Sequence, residues 1–187
     1  GGLRELTRAV AKAFGRHQGD LELRSLVELP GGVARGLANH RGGLALPRLT
    51  RMTAEGAEGL SGFRGELRLD AVKTLDVRTA AALGRCQGGL SLPSVRDLSP
   101  QAAAALAAFR GRLDLSGLVD PSDEVLEALA GHQGTLVLGV RTLTQRGTDA
   151  LAGHQGVVVL NNLFFPTDYQ ARILGDRSKF QGDGIAR

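Results

Sequence analysis

Five side chains able to bind a metal or move a proton recur at one spacing. His17, His40, His132 and His154 each stand two residues before a glycine, and Cys86 holds the same place in its own segment. If those segments lie side by side as strands about 4.8 Å apart, the pairs His17/His40 and His132/His154 come within reach of a shared metal ion. Phe63 and Phe109, however, fill the same place between them. A position that accepts phenylalanine and cysteine is a packing position, half-buried at a helix end, where an imidazole also complements the helix dipole. The column therefore predicts packing, and Cys86 reads as a small apolar filler rather than a nucleophile. No serine, histidine and acid recur together as a triad would, and the glycines punctuate segments instead of forming a phosphate loop. No catalytic, cofactor-binding or metal-binding residue is assigned, and the chain is not expected to be an enzyme.

The elements that position these residues follow from a repeat. His17-Gln-Gly-Asp-Leu-Glu-Leu23 returns as His40 to Leu46, Phe63 to Leu69, Cys86 to Leu92, Phe109 to Leu115, His132 to Leu138 and His154 to Leu160. The anchoring glycines, from Gly19 through Gly134, are spaced by 23 residues, and the last step, to Gly156, is 22. One short period sustained along a chain makes a solenoid. The missing residue falls between Leu138 and Leu143, at a bend, where it shifts neither apolar face.

Each repeat has two parts. In Gly-x-Leu-x-Leu-x-x-Leu, the alternating leucines predict a short strand with one buried side. Pro47 and Pro93 follow the second leucine and remove a ladder donor, so strands of three to four residues are expected. The second part places apolar residues four, four and three apart, as in Leu98, Ala102, Leu106 and Phe109, which is helical spacing. Thr7, Thr53, Asp76, Ser99, Ser122, Thr144 and Thr167 stand where a cap is needed, each contributing about 1 kcal/mol. Pro100 suits a first helical position, and the glycine after each helix is placed for a left-handed exit.

A strand followed by a helix in 23 residues, with neighbouring strands parallel, resembles the leucine-rich repeat superfamily from Leu3 to about Leu174. The asparagine that follows the strand in the common form of that family is replaced here by Leu26, Leu49, Val72, Val95 and Leu118, which marks a divergent member. The pattern Leu-Ala-x-His-x-Gly-x-Leu-x-Leu-x-x-Leu is similar to the 23-residue repeats of many uncharacterised planctomycete proteins, which implies a bacterial source. The expected fold is an α/β solenoid of leucine-rich-repeat type, with short parallel strands on one face and short helices on the other. It is expected to be a single domain, residues 1–187, with a partial first repeat (1–19), six repeats (20–156) and a last strand with a C-terminal cap (157–187). The cap would hold a helix from Asp168 to Leu174, a polar tail from Gly175, and the aromatics Phe164, Phe165, Tyr169 and Phe180. The chain opens in mid-repeat, with Leu3, Leu6, Val10 and Phe14 in the helical columns, as a piece of a longer chain would.

The net charge is +4, and three lysines leave 20 arginines among the 23 basic residues. No run of three basic residues occurs, and acids interleave, as in Arg68-Leu-Asp70, so solvated surface is a better reading than a phosphate-tracking patch. No apolar run approaches the roughly 20 residues that span a bilayer. No leader is visible, and a single cysteine excludes an intrachain disulfide. Those features lead to the expectation of a cytoplasmic protein with no membrane partner.

What remains is the open face of the sheet, formed by residues alternating with the core leucines. Glu22, Arg24, Arg68, Asp70 and Asp114 give it near-neutral charge, which makes nucleic acid an improbable partner for that face. Towards its far end Val137, Val159 and Phe164 or Phe165 would form an apolar anchor patch, with Asn161 beside them on the contact face. Repeats without chemistry make a binding surface, so the expected function is a protein-interaction module, contacting another protein or a neighbouring domain. The alternatives are a structural spacer that self-associates through its N-terminal rung and, behind it, nucleic-acid binding through arginines.

Overall fold

The computed structural model describes residues 6–163 and the strand residues 180–181. Within them the chain alternates helix and strand: α1 (Arg8–Phe14), β1 (Leu21–Glu22), α2 (Gly31–Leu37), β2 (Leu44–Ala45), α3 (Ala54–Leu60), β3 (Leu67–Arg68), α4 (Val77–Leu83), β4 (Leu90–Ser91). It continues through α5 (Pro100–Leu106), β5 (Leu113–Leu115), α6 (Asp123–Ala130), β6 (Leu136–Leu138), α7 (Gln145–Ala152), β7 (Val158–Leu160) and β8 (Phe180–Gln181). All strands join one parallel sheet in chain order. The register places Leu21, Leu44, Leu67, Leu90, Leu113, Leu136 and Val158 in one row. Each helix packs on the helix of the next repeat. The molecule is an α/β repeat solenoid, strands on one side and helices on the other.

Strands β1 to β4 are shorter than expected, two residues each, while β5 to β7 have the expected three. The ladder still reaches one residue past the short strands, for Leu46 N–H donates to Arg68 O at 2.9 Å, and the chain then turns at Leu49 N–H to Leu46 O, 3.2 Å. β8 lies where the polar tail was expected, paired from Phe180 to Val158. The helix expected at 168–174 and the aromatics Phe164, Phe165 and Tyr169 fall outside the described residues, as does Leu3. At the shortened repeat the bend Gly139–Val140 absorbs the missing residue, and Leu136↔Val158 and Leu138↔Leu160 keep both strands in register.

Caps hold the helix starts as their residue types predict. Thr53 Oγ1 accepts from Gly56 N–H at 3.1 Å, Asp76 Oδ1 from Thr79 N–H at 2.7 Å, and Ser99 Oγ from Ala102 N–H at 3.1 Å. The Asp76 carboxyl is held below its ordinary range chiefly by that amide hydrogen bond. Ser122 makes no such bond, α2 starts at Pro30 without a side-chain cap, and Thr167 is outside the described residues.

Except at Gly19, the glycine that precedes each strand does not provide a left-handed exit. Every helix closes on a residue in the right-handed region, and Gly19 is the one described glycine with positive φ, 105°. Its column is needed for close approach instead. A Cβ at Gly88 would collide with the carbonyl oxygen of Gly65, and one at Gly111 with that of Gly88. Inside, the leucine row is sealed: Leu67, Leu69, Leu92, Leu113 and Leu115 have no exposed surface. Among the described residues no helix is long and apolar enough to cross a membrane.

Leu92→Ala or Leu115→Ala is expected to cost about 2–5 kcal/mol by denaturant titration, as cavity formation in a packed core does. Gly88→Ala should cost about 1–3 kcal/mol through overpacking. Gly62, where a Cβ would meet nothing within 4 Å, is the control, and Gly62→Ala should be neutral or stabilising by up to about 1 kcal/mol. Equal losses at Gly62 and Gly88 would refute the close-approach account.

Candidate functional site

Strand alternation turns three residues per repeat towards the open face, and the register makes columns of them. The first column is Asp20, Gly43, Glu66, Gly89, Arg112, Thr135 and Val157, the second Glu22, Ala45, Arg68, Ser91, Asp114, Val137 and Val159, the third Arg24, Pro47, Asp70, Pro93, Ser116, Gly139 and Asn161. Read by rung, the face is corrugated. Rungs one, three and five carry charged side chains, while rungs two and four carry Gly43-Ala45-Pro47 and Gly89-Ser91-Pro93. The small residues let the ridges lean over. Gly43 N–H donates to Asp20 Oδ1 at 2.8 Å, and a Cβ at Gly89 would stand 3.2 Å from Glu66 Cγ.

Charges on each ridge pair along their own strand, because residues two apart share a face. Arg24 meets Glu22 at 2.8 Å, Arg68 meets Asp70 at 3.3 Å and Arg112 meets Asp114 at 3.6 Å. The Arg24 hydrogen bond holds the Glu22 carboxyl below its ordinary range, and Glu22 in turn raises Arg24. Asp20, Glu66 and Arg112 were missing from the reading of single repeats, which took only the two positions after the first leucine. Aligning whole repeats in register finds them. With them the face holds five carboxylates and three guanidiniums, so it is acidic although the chain carries +4. Between the ridges on rungs one and three lies a shallow trough of about 480 Å³, floored by Gly43 and Ala45 and walled by Asp20, Glu22, Glu66, Arg68 and Asp70.

The apolar end of the face differs from expectation. Val137 is 1% exposed, so it is no part of a free anchor. The register Asp114↔Val137↔Val159 flanks it on both sides, and Gly139, next along the face, is buried too. Val159 and Asn161 are half-buried, and Phe164 and Phe165 lie outside the described residues. Glu22, Arg24 and Arg68 are exposed and Asp70 and Asp114 half-buried, so the accessible part of the predicted surface is its charged part.

The histidine column forms a stack of rings on the edge where helices lead into strands. His17 and His40 are parallel with centroids 6.0 Å apart, His40 and Phe63 lie at 6.4 Å, Phe109 and His132 at 6.1 Å, and His132 and His154 at 5.8 Å. Face-to-face imidazoles keep their in-plane lone pairs side by side instead of converging. Among the described residues no group of three or more His, Cys, Asp or Glu is placed to hold a metal ion. His40, His132 and His154 are buried rather than half-buried, each covered by a ring on at least one side, and only His17 at the open end is exposed. Cys86 interrupts the stack; its Sγ–H donates to Leu60 O at 3.3 Å, and burial pushes the thiol up to about 11.

His132 is the least satisfied member. Neither ring nitrogen has a hydrogen-bond partner, though the carbonyls of Phe109, Gly111 and Thr135 lie near enough to favour a proton. Burial outweighs them and holds the imidazole below its ordinary range, with His154 adding to the effect. His154 is better placed, its Nε2 lying 3.0 Å from Gly134 O.

No protein-family model matches the chain, and no curated protein is significantly similar to it.

Folding should therefore weaken in acid. The folded state gives His132 a lower affinity for a proton than the unfolded chain, whose value is near 6.5. Its contribution is complete above that pH and is lost as the pH falls towards the folded-state value, by up to about 1.4 kcal/mol per pH unit. His132→Phe, a residue this column already accepts, should flatten that slope between pH 5 and 7.5. An unchanged slope would exclude His132 as its source.

Proposed function

We propose that the chain is a non-catalytic binding scaffold of the leucine-rich-repeat type that contacts another protein, or a neighbouring domain, through the open face of its sheet. The observation that carries this reading is the trough over Gly43 and Ala45, whose polar walls are preorganised by Asp20 bonding to Gly43 and Arg68 pairing with Asp70. A surface whose side chains are already fixed by rung spacing and by ion pairs loses little freedom on binding. Its four carboxylates against Arg68 favour a partner that presents cationic groups and fits a shallow cleft.

Charge reversal distinguishes this face from the rest of the molecule. The double variant Glu22→Arg/Glu66→Arg, which leaves two carboxylates against three guanidiniums in the trough, should lose, by tenfold or more in affinity, the proteins that the parent chain captures and that bind it directly after purification. Arg78→Glu on the helical side should retain them. Retention by the trough variant would rule out the open face as the contact.

A second reading, end-to-end self-association, has one specific observation in its favour. At the first rung Leu21, Leu23, Val10 and Phe14 are only half-buried, whereas Leu44, Leu46, Leu67 and Leu69 have at most 1% exposed. Leu6, Phe14, Leu21, Leu23 and Leu26 line an apolar depression of about 330 Å³ there. Among the described residues β1 is paired on one side only. Light scattering separates the readings: mass rising with concentration supports stacking of copies, and a constant monomer mass up to millimolar concentration eliminates it.

A further inference from the structure

Five of the 20 arginines, scattered in the sequence, are collected by the register. Arg41, Arg64 and Arg110 each stand one residue before a repeat glycine, and Arg16 and Arg85 stand three before. All five therefore fall on one edge of the solenoid, beside the ring stack, across its first five rungs. All are exposed, and none of them forms an ion pair among the described residues. The nearest acids on the neighbouring face are Asp20, bonded to Gly43 N–H, and Glu66, whose side chain leans over Gly89. The ring stack beside these arginines gives the rise at this edge, about 6 Å per rung.

We infer that this edge binds the phosphate backbone of a single-stranded nucleic acid, one guanidinium to a phosphate and without reading base sequence. Planar guanidinium forks suit phosphate oxygens bidentately, and a regular row tracks a backbone of repeating charge. Binding by counterion release requires no apolar anchor, and the edge has none: among the described residues the exposed large apolar side chains are Val27 and Val77, both on the side where helices begin. An acidic peptide of comparable affinity needs buried anchors, so it is the weaker fit. His17 is the single exposed ring of the column, so stacking on bases contributes little. The surface is separate from the trough of the open face.

The column supplies its own conservative replacement, because glutamine occupies the place of Arg41, Arg64 and Arg110 at Gln18, Gln87, Gln133 and Gln155. The test is fluorescence anisotropy with a uridylate dodecamer between 50 and 200 mM salt, for the parent chain and for Arg41→Gln/Arg64→Gln/Arg110→Gln. With five phosphate contacts the slope of log K against log salt is about −3.5, an affinity loss of roughly a hundredfold over that range, and the triple variant should fall to about −1.4. Glu22→Arg/Glu66→Arg, on the open face, should bind the oligonucleotide at least as well as the parent, which keeps this outcome independent of the protein-contact reading. Absence of binding at 50 mM salt, an unchanged slope in the folded triple variant, or equal competition by poly-L-glutamate of matched charge would each overturn the inference, the last in favour of an acidic peptide.

Discussion

Rung spacing is the constraint from which the other features follow. At the repeat glycines one backbone passes so close to the next that the carbonyl of Gly65 occupies the space a Cβ at Gly88 would need. Glycine is used there for the missing side chain and not for a left-handed φ. With that approach fixed, parallel ladder bonds such as Leu67 N–H to Gly89 O, 2.8 Å, can form in every rung. The leucines then fall in register and close the core without gaps. A strand of two residues has little stability of its own; its geometry is imposed by neighbours on either side, which is why the first rung, paired on one side only among the described residues, leaves Leu21 and Leu23 partly open.

The same spacing decides what the polar residues become. His40 and His132 are pressed between rings about 6 Å above and below them, so their positions are fixed by stacking while their nitrogens depend on whichever carbonyls lie near. His154 bonds with the Gly134 carbonyl, whereas the carbonyls near His132 make no hydrogen bond with it. Identical places in the repeat thus differ in hydrogen bonding.

Much of this architecture was legible in the residues because it is periodic. The alternation Leu90-x-Leu92 gave a strand, the four-residue spacing of Leu98, Ala102 and Leu106 gave a helix, and Thr53, Asp76 and Ser99 cap where their side chains indicate. What escaped were properties that exist only between repeats. Burial of Val137 depends on Asp114 and Val159 beside it and on the bend at Gly139, none of which a single repeat contains. The acidic first column, Asp20 and Glu66, lies before the leucines that marked the strand. The role of the glycines was misassigned because a turn and a close approach demand the same residue, and only the backbone conformation separates them.

Charge partition is the last consequence of the period. A run of basic residues is the familiar local sign of a polyanion site, yet in a solenoid local sequence winds around the molecule, and neighbours along the chain point to different surfaces. Arg64 faces the edge, Glu66 and Arg68 the open sheet, and Leu67 the core, all within five residues. Residues one full repeat apart, by contrast, become neighbours on one surface. An interval of about 23 residues, not adjacency, is therefore the distance at which charge clustering has physical meaning in this chain. On that scale eight of the arginines separate into a basic edge, unpaired among the described residues, and a paired, acidic face.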